Sequence, residues 1–352
     1  MIMPKAAGER PERVTQQDIA RFANVSQATV SRVLAGDERV EPTIRKRVAA
    51  VMAEHNYQPD VRARSLRKRS TGLIGLVVKR PAGGLADDPF FANLIAGIMD
   101  YLAGTPYHLC IDMVTSELGQ AAIYDEMLRT RRVDGLILVE SEARDQRIGR
   151  LQRDNFPFVL IGNSMGDDSL WTVDNDNQRG GYFATRHLIE AGFEKVGILA
   201  GPAGLTVSED RVAGYKEAVF EAGGVPRVWH SEFGYATAGQ MTQLILDSQD
   251  RPDGLVVMDD FMAMGVVSAA RMSGIRIPHD LGLVSFNDSS LCSFLDVGLT
   301  SVNLHIPRIV AAATERLLQI VQGRLPEGPR RLIVETELRV RGSSVKLKGG
   351  GA

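Results

Sequence analysis

Residues 14–34 read VTQQDIARFANVSQATVSRVL. Thr15 stands ahead of Ile19 and Ala20, with Asp18 three residues on. That spacing starts a helix, because the hydroxyl and the carboxylate can satisfy each other's backbone N–H. Asn24-Val25-Ser26 interrupts the helix, and Ser26 can cap the next one. Over residues 27–34, Val30, Val33 and Leu34 share one face at spacings of three and four. Gln27, Ala28, Ser31 and Arg32 share the other. Gly36-Asp37 ends this second helix. Pro42 suits the first turn of a third, whose apolar face is Ile44, Val48, Val51 and Met52. A generic helical mini-domain fits the same period. A short helix with small, hydrogen-bonding groups outward also fits a major groove, where Gln and Arg match base-edge patterns. Three short helices with a tight turn between the first two predict a helix-turn-helix head.

Charge separates this head from the rest of the chain. Residues 1–70 hold 14 Lys/Arg against 8 Asp/Glu, and the remainder holds 27 against 35. A basic module on a mildly acidic body fits a polyanion-binding head. The 352 residues, 44% hydrophobic, suffice for two or three domains with a real core. That composition excludes disorder. No apolar run approaches the ~20 residues that span a bilayer, and the N-terminus shows no apolar signal core. Cys110 and Cys292 match no metal or redox spacing, so they read as reduced thiols of a cytoplasmic protein.

From residue 72 apolar runs alternate with amphipathic stretches. The runs are 73–78, 108–113, 135–139, 158–161, 196–200, 254–258 and 283–286; the helical stretches between them include 91–102, 178–191, 210–222 and 308–321. Strict alternation predicts parallel sheets covered by helices. The length exceeds one doubly wound sheet, so two lobes are expected, with a ligand cleft at the carboxyl ends of the strands. An α/β enzyme shares this pattern. However, no P-loop, GxGxxG, GxSxG or zinc spacing is present. No catalytic residue, metal ligand or cofactor is assigned.

The stretch Val14–Leu34, continued by Val48–Tyr57 and Ala63–Arg67, closely resembles the opening of the lactose-repressor (LacI) family. Farther on, Pro89-Phe90-Phe91-Ala92, Val133–Ile137, Val173-Asp174-Asn175, Arg211–Gly214, Asp260–Gly265 and Leu299–Val302 resemble that family's later signatures. The resemblance spans about residues 14–342. It implies an α/β chain: an all-α helix-turn-helix head plus a two-lobed effector domain like type I periplasmic binding proteins. Its divisions would be an arm (1–13), a head (14–59), a hinge helix (60–71), an effector domain (72–342) and a tail (343–352). Lobe 1 would take about 72–174 and 306–325, and lobe 2 about 175–303 and 330–342.

The resemblance also implies roles. Gln27 and Ala28 would set operator specificity, Thr29 and Ser31 would touch backbone or base edges, and Arg32 a guanine. Thr15, Ser26, Tyr57 and Arg64 complete the DNA-contacting set. Leu66, by itself a packing leucine, would wedge into a minor-groove step. Effector residues would be Phe90 and Phe91 as an apolar wall, Asn163, Arg211 as the central donor, Tyr235 as a platform, and Asp259 and Asn287 as acceptors. Five positions depart from the family: Glu41 for a Ser/Thr cap, Asp60 and Asp88 for Asn, and Asn287 and Gly162 for Asp. The implied protein is a homodimeric repressor in the cytoplasm, on the nucleoid. It would bind pseudo-palindromic operator DNA and answer a mono- or disaccharide, with Trp171–Asn177 leaning toward α-glucosides. Purines or a phosphocarrier protein are alternative signals. Residues 91–103 and 260–273 would form the dimer faces, and the tail carries no leucine heptads.

Overall fold

A computed structural model describes residues 14–34, 36–57, 70–80, 88–163 and 166–346. It divides into two compact units, Met1–Thr71 and Gly72–Ala352.

In the first unit, α1 (Gln16–Phe22) passes through a tight turn into α2 (Gln27–Leu34), and α3 (Pro42–Glu54) follows. Thr15 and Asp18 form the reciprocal cap: the Asp18 N–H donates to the Thr15 hydroxyl at 3.3 Å, and the Thr15 N–H to the Asp18 carboxylate at 3.0 Å. Asn24 takes the turn at φ 49°, a left-handed conformation that asparagine tolerates well. The Ser26 hydroxyl accepts from the Thr29 N–H at 3.1 Å. Glu41 gives α3 no side-chain cap. Pro42 follows it at the first helical position, where a missing N–H costs nothing. Ile19, Ala20, Ala23, Val30 and Val48 form the buried centre.

The second unit has two six-stranded sheets. The first runs β11-β5-β4-β3-β1-β2, with all strands parallel. Its members are β1 (Leu73–Lys79), β2 (His108–Val114), β3 (Gly135–Val139), β4 (Phe158–Ile161), β5 (Thr172–Asn175) and β11 (Arg331–Val334). The second runs β12-β10-β9-β8-β6-β7, parallel except for β12. It comprises β6 (Val196–Ala200), β7 (Val228–His230), β8 (Gly254–Val257), β9 (Gly282–Phe286), β10 (Thr300–Asn303) and β12 (Glu337–Arg339). The central strands β3, β6 and β9 are buried at every residue, as helices on both faces require.

Helices α4 (Pro89–Leu102), α5 (Glu117–Thr130), α6 (Gln146–Arg153) and α11 (Ile306–Val321) belong to the first lobe. Helices α7 (Asn177–Glu190), α8 (Thr206–Glu221), α9 (Tyr235–Leu246) and α10 (Asp260–Met272) belong to the second. The chain crosses between lobes after β5, β10 and β11. Strand β11, expected in lobe 2, pairs with β5 in lobe 1, with Leu332 opposite Val173. Only after it does the chain cross again. One buried side chain joins all three crossings: the Asn175 amide donates to the Leu304 and Val334 carbonyls, each at 3.0 Å.

Candidate functional site

In the head, the second helix presents its polar face outward. Ser26, Gln27, Ala28 and Arg32 are exposed, while Thr29 and Ser31 are half-buried. The Thr29 hydroxyl lies 2.8 Å from that of Ser26, so these two groups mainly fix the helix start. Thr15 is exposed at the start of α1, and Tyr57 packs half-buried against the head's core. Arg64, Leu66 and the rest of residues 60–69 of the expected hinge, like the arm at 1–13, lie outside the described residues.

Between the lobes of the second unit lies a cavity of about 790 Å³, its open mouth included. Arg211, fully enclosed on α8, is its central cation. Its Nε donates to the Asn177 Oδ1 at 3.0 Å and its Nη1 to the Met258 carbonyl at 2.7 Å, while the guanidinium stacks 4.0 Å above the Phe286 ring. Among the described residues no acceptor meets Nη2, which leaves one arm of the fork for the cavity. Burial lowers the Arg211 pKa to about 10, opposed by Asp259 and Asp174, so it stays charged at neutral pH.

Two carboxylates share the wall. Asp174 accepts from the Asn175 N–H at 2.8 Å and the Asn177 amide at 3.0 Å. Asp259 caps α10 through the Met262 N–H at 2.7 Å. Burial raises both to about 7. Each can therefore accept or donate a hydrogen bond near neutrality. Behind them Asp260 is fully buried and pinned by the Ser285 and Ser301 hydroxyls (2.5 and 2.7 Å) and the Ser289 N–H (2.7 Å). This net anchors α10 to β9 and β10. The neighbouring Asn287 lines the cavity at φ 99°, a strained value for a residue with a Cβ.

On the lobe 1 side, Arg80 closes the end of β1. Its Nε donates to Asp88 at 3.1 Å and its Nη1 to Glu140 at 2.8 Å, with Nη2 also on Glu140. Its guanidinium lies 4.5 Å from the Phe91 ring centre and 5.1 Å from that of Phe233. Asp88 also caps α4, accepting from the Phe90 N–H at 3.0 Å, and burial raises its pKa. This dual role accounts for Asp at a position where the family has Asn. The Phe233 contact crosses from lobe 2 to lobe 1. The Ser141–Thr206 hydroxyl pair (2.9 Å) and the Asn163 amide on Asp210 (3.0 Å) do the same.

Of the expected effector residues, Phe90, Arg211, Asp259 and Asn287 line this cavity. Three expectations need correction. Phe91 is fully buried in the lobe core, outside the lining, and touches the site through the Arg80 guanidinium and the Phe90 ring. Tyr235, the first residue of α9, is 43% exposed and outside the lining; Phe233 supplies the ring instead. Asn163 is also outside the lining, its amide spent on Asp210. Sequence reasoning missed Arg80, Glu140, Asp174, Asn177, Thr206 and Phe233 as wall residues. Asp174 and Asn177 stood inside the noted Trp171–Asn177 segment. Arg80 had only one signal, the second of two adjacent cations (Lys79-Arg80) at the end of an apolar strand. Among the described residues no helix is long and apolar enough to cross a membrane, and no cluster could hold a metal.

Residues 15–60 match the profile of bacterial regulatory proteins of the lacI family, and residues 185–344 that of a periplasmic binding protein-like domain. The ribose operon repressor of Haemophilus influenzae is 32% identical over 337 residues, covering 95% of this chain and 99% of that one. The chain belongs to the LacI family of bacterial regulatory proteins. Among solved structures, the transcriptional regulator CelR in complex with cellobiose is 28% identical, with a TM-score of 0.72 over 94% of this chain and 100% of that one. The lac repressor dimer bound to operator and the anti-inducer ONPF shares the fold, with a TM-score of 0.83 at 24% identity over 95% of this chain and all of that one. Within this LacI-family chain the exposed face of α2 and the interlobe cavity are the two places where chemistry is concentrated.

Proposed function

We propose that this LacI-family chain is a homodimeric transcriptional repressor whose operator affinity is set by a neutral sugar held in the interlobe cavity. The observation that carries the reading is Arg211: a buried guanidinium with one arm free, flanked by Asp174, Asn177, Asp259 and Asn287. Such a set suits vicinal hydroxyls, which donate to carboxylates and accept from the fork. The rings of Phe90 and Phe233 suit a sugar's C–H face. The cellobiose complex of CelR and the ribose operon repressor support a sugar as the effector class.

On DNA, Gln27, Ala28 and Arg32 read base edges, Thr29 and Ser31 touch backbone or base edges, and Thr15, Ser26 and Tyr57 lie on the backbone. Ala28 offers only contact with a thymine methyl. A two-fold dimer presents two heads to a pseudo-palindrome. Exposed Met99 on α4 and Met272 on α10 support these helices as dimer faces. The protein works in the cytoplasm, on the nucleoid. Ligand acts by favouring one lobe arrangement over another, since equal affinity for both would shift nothing.

Selection from random duplex DNA yields the operator. A thermal-shift panel of ribose, glucose, maltose, cellobiose, sugar phosphates and nucleobases then yields the ligand class. A ligand at 100 times its Kd adds about 2.7 kcal/mol, a visible shift in Tm. The reading expects a neutral sugar to stabilise the protein and to change its operator affinity. A nucleobase or phosphate as sole hit would overturn it.

A further inference from the structure

We propose that Arg341, in the C-terminal segment and outside the cavity, is a positioning residue for effector binding. It acts by holding Asn287 in the strained conformation that places it on the cavity wall. The inference rests on the sugar-repressor reading above and deepens it. Asn287 and Asp288 follow β9 and both take positive φ, 99° and 51°. In residues with a Cβ, such values persist only where the surroundings over-determine them. The backbone ties are in place. The Asn287 N–H donates to the Val302 carbonyl at 2.9 Å, the Asp288 N–H to the Ser301 hydroxyl at 3.0 Å, and the Ser289 N–H to the Asp260 carboxylate at 2.7 Å.

The Asp288 carboxylate adds side-chain ties. Its Oδ1 accepts from the Arg341 Nη2 at 2.7 Å and its Oδ2 from the Asn303 amide at 2.9 Å. That side chain is only 10% exposed, so a carboxylate left there without its cation is unfavourable. Arg341 is itself a fixed strut. Its N–H donates to the Thr300 hydroxyl and its Nη1 to the Leu299 carbonyl, each at 2.8 Å. The turn that follows is pinned as well: the Ser343 hydroxyl donates to the Leu283 carbonyl at 2.7 Å and accepts from the Thr300 N–H at 2.8 Å. Arg341 therefore cannot follow the 287–288 backbone if that backbone relaxes, and so opposes the relaxation. Neither Arg341 nor Asp288 lines the cavity, whereas Asn287 does. Any effect of Arg341 on a bound sugar passes through Asn287. A polar group that must meet a ligand needs such a supporting layer, because its own rotamer and backbone do not fix it.

Isothermal titration of the full-length protein with ribose, glucose, maltose and cellobiose tests this, with a thermal melt of each variant as the check on folding. Arg341→Ala should weaken the tightest-binding of the four sugars about tenfold. Arg341→Lys keeps a cation beside Asp288 but not the fork that also reaches Leu299, and should recover part of that loss. The decisive comparison uses Asn287→Gly. Glycine takes φ 99° without strain and has no side chain to place. In that background Arg341→Ala should weaken the sugar by less than a further twofold. A general loosening of the lobe would instead weaken it by the same factor in both backgrounds. Asp288→Asn, a milder change at the other end of the ion pair, should show the same dependence on Asn287 and stands in if Arg341→Ala does not fold. If the variants bind the sugar as tightly as the parent, or weaken it equally in both backgrounds, the inference falls while the sugar reading stands. If none of the four sugars binds the parent, both fall together.

Discussion

Arg211 concentrates the chemistry of the cavity in one side chain. Removing it orphans the Asn177 oxygen and the Met258 carbonyl, and empties the space above Phe286. Hydrogen bonds to charged groups are worth about 1.5–3 kcal/mol. Arg211→Ala should therefore lower Tm, abolish sugar-induced stabilisation, and leave operator binding within a few-fold of the parent. Calorimetry and DNA titration check the three parts separately. Asp174 and Asp259 carry a pH signature. Unfolded, each titrates near 3.8; folded, each holds its proton to about 7. The native state binds more protons between those values, so stability falls as pH rises from about 4 to 7. Below pH 4 their contribution is complete, and above 7 it is gone. The double variant Asp174→Asn, Asp259→Asn should flatten the slope of Tm against pH over this window. An unchanged slope would mean that these carboxyls are not held protonated. The family's motif matches, rather than residue types alone, pointed to Arg211, Asp259 and Asn287. They misdirected at Phe91 and Tyr235, because spacing along a chain does not reveal which way a ring turns at a helix start.

At the scale of elements, α7 and α8 meet backbone to backbone. A Cβ on Gly214 would collide with the Gln178 carbonyl, and one on Gly181 with the Arg211 carbonyl. This contact sets where α8, and hence Arg211, sits over the cavity. Gly214→Ala should push the helices apart, costing about 1–3 kcal/mol and weakening ligand more than the distance from the ligand suggests. A denaturant melt with ligand titration checks both. In the head, the Thr15–Asp18 cap is the comparable device. Thr15→Ala should cost about 1 kcal/mol of head stability. Elements with strong periodicity were legible: α1, α2 and the all-buried strands follow from their residues. Strand β11 was placed in the wrong lobe. It has four residues and only Val334 is buried, so no apolar run marked its partner. Helix α8 begins at Thr206, earlier than its apolar pattern indicates, because Leu205 offers no side-chain cap to mark the start. Arg211 therefore lies in the second turn rather than opening the helix.

For the molecule as a whole, the three crossings are the feature most relevant to switching. They meet at Asn175, whose amide serves a carbonyl from each of the other two. Asn175→Ala leaves both carbonyls without their donor, a loss of about 1–3 kcal/mol. Because every lobe motion bends these strands, the variant should also change how strongly ligand alters DNA affinity. The two-lobe plan was legible from alternation and length. The junction was not, since it depends on Leu304 and Val334, each more than 120 positions from Asn175. The measurement that tests the central claim most directly is operator affinity with and without ligand. A fluorescent duplex carrying the selected site is titrated with protein at fixed salt, with no sugar and then with a saturating sugar hit. The account predicts at least a tenfold change in Kd with the parent and none with Arg211→Ala. Equal affinity in both conditions, or the same change in the variant, would contradict it.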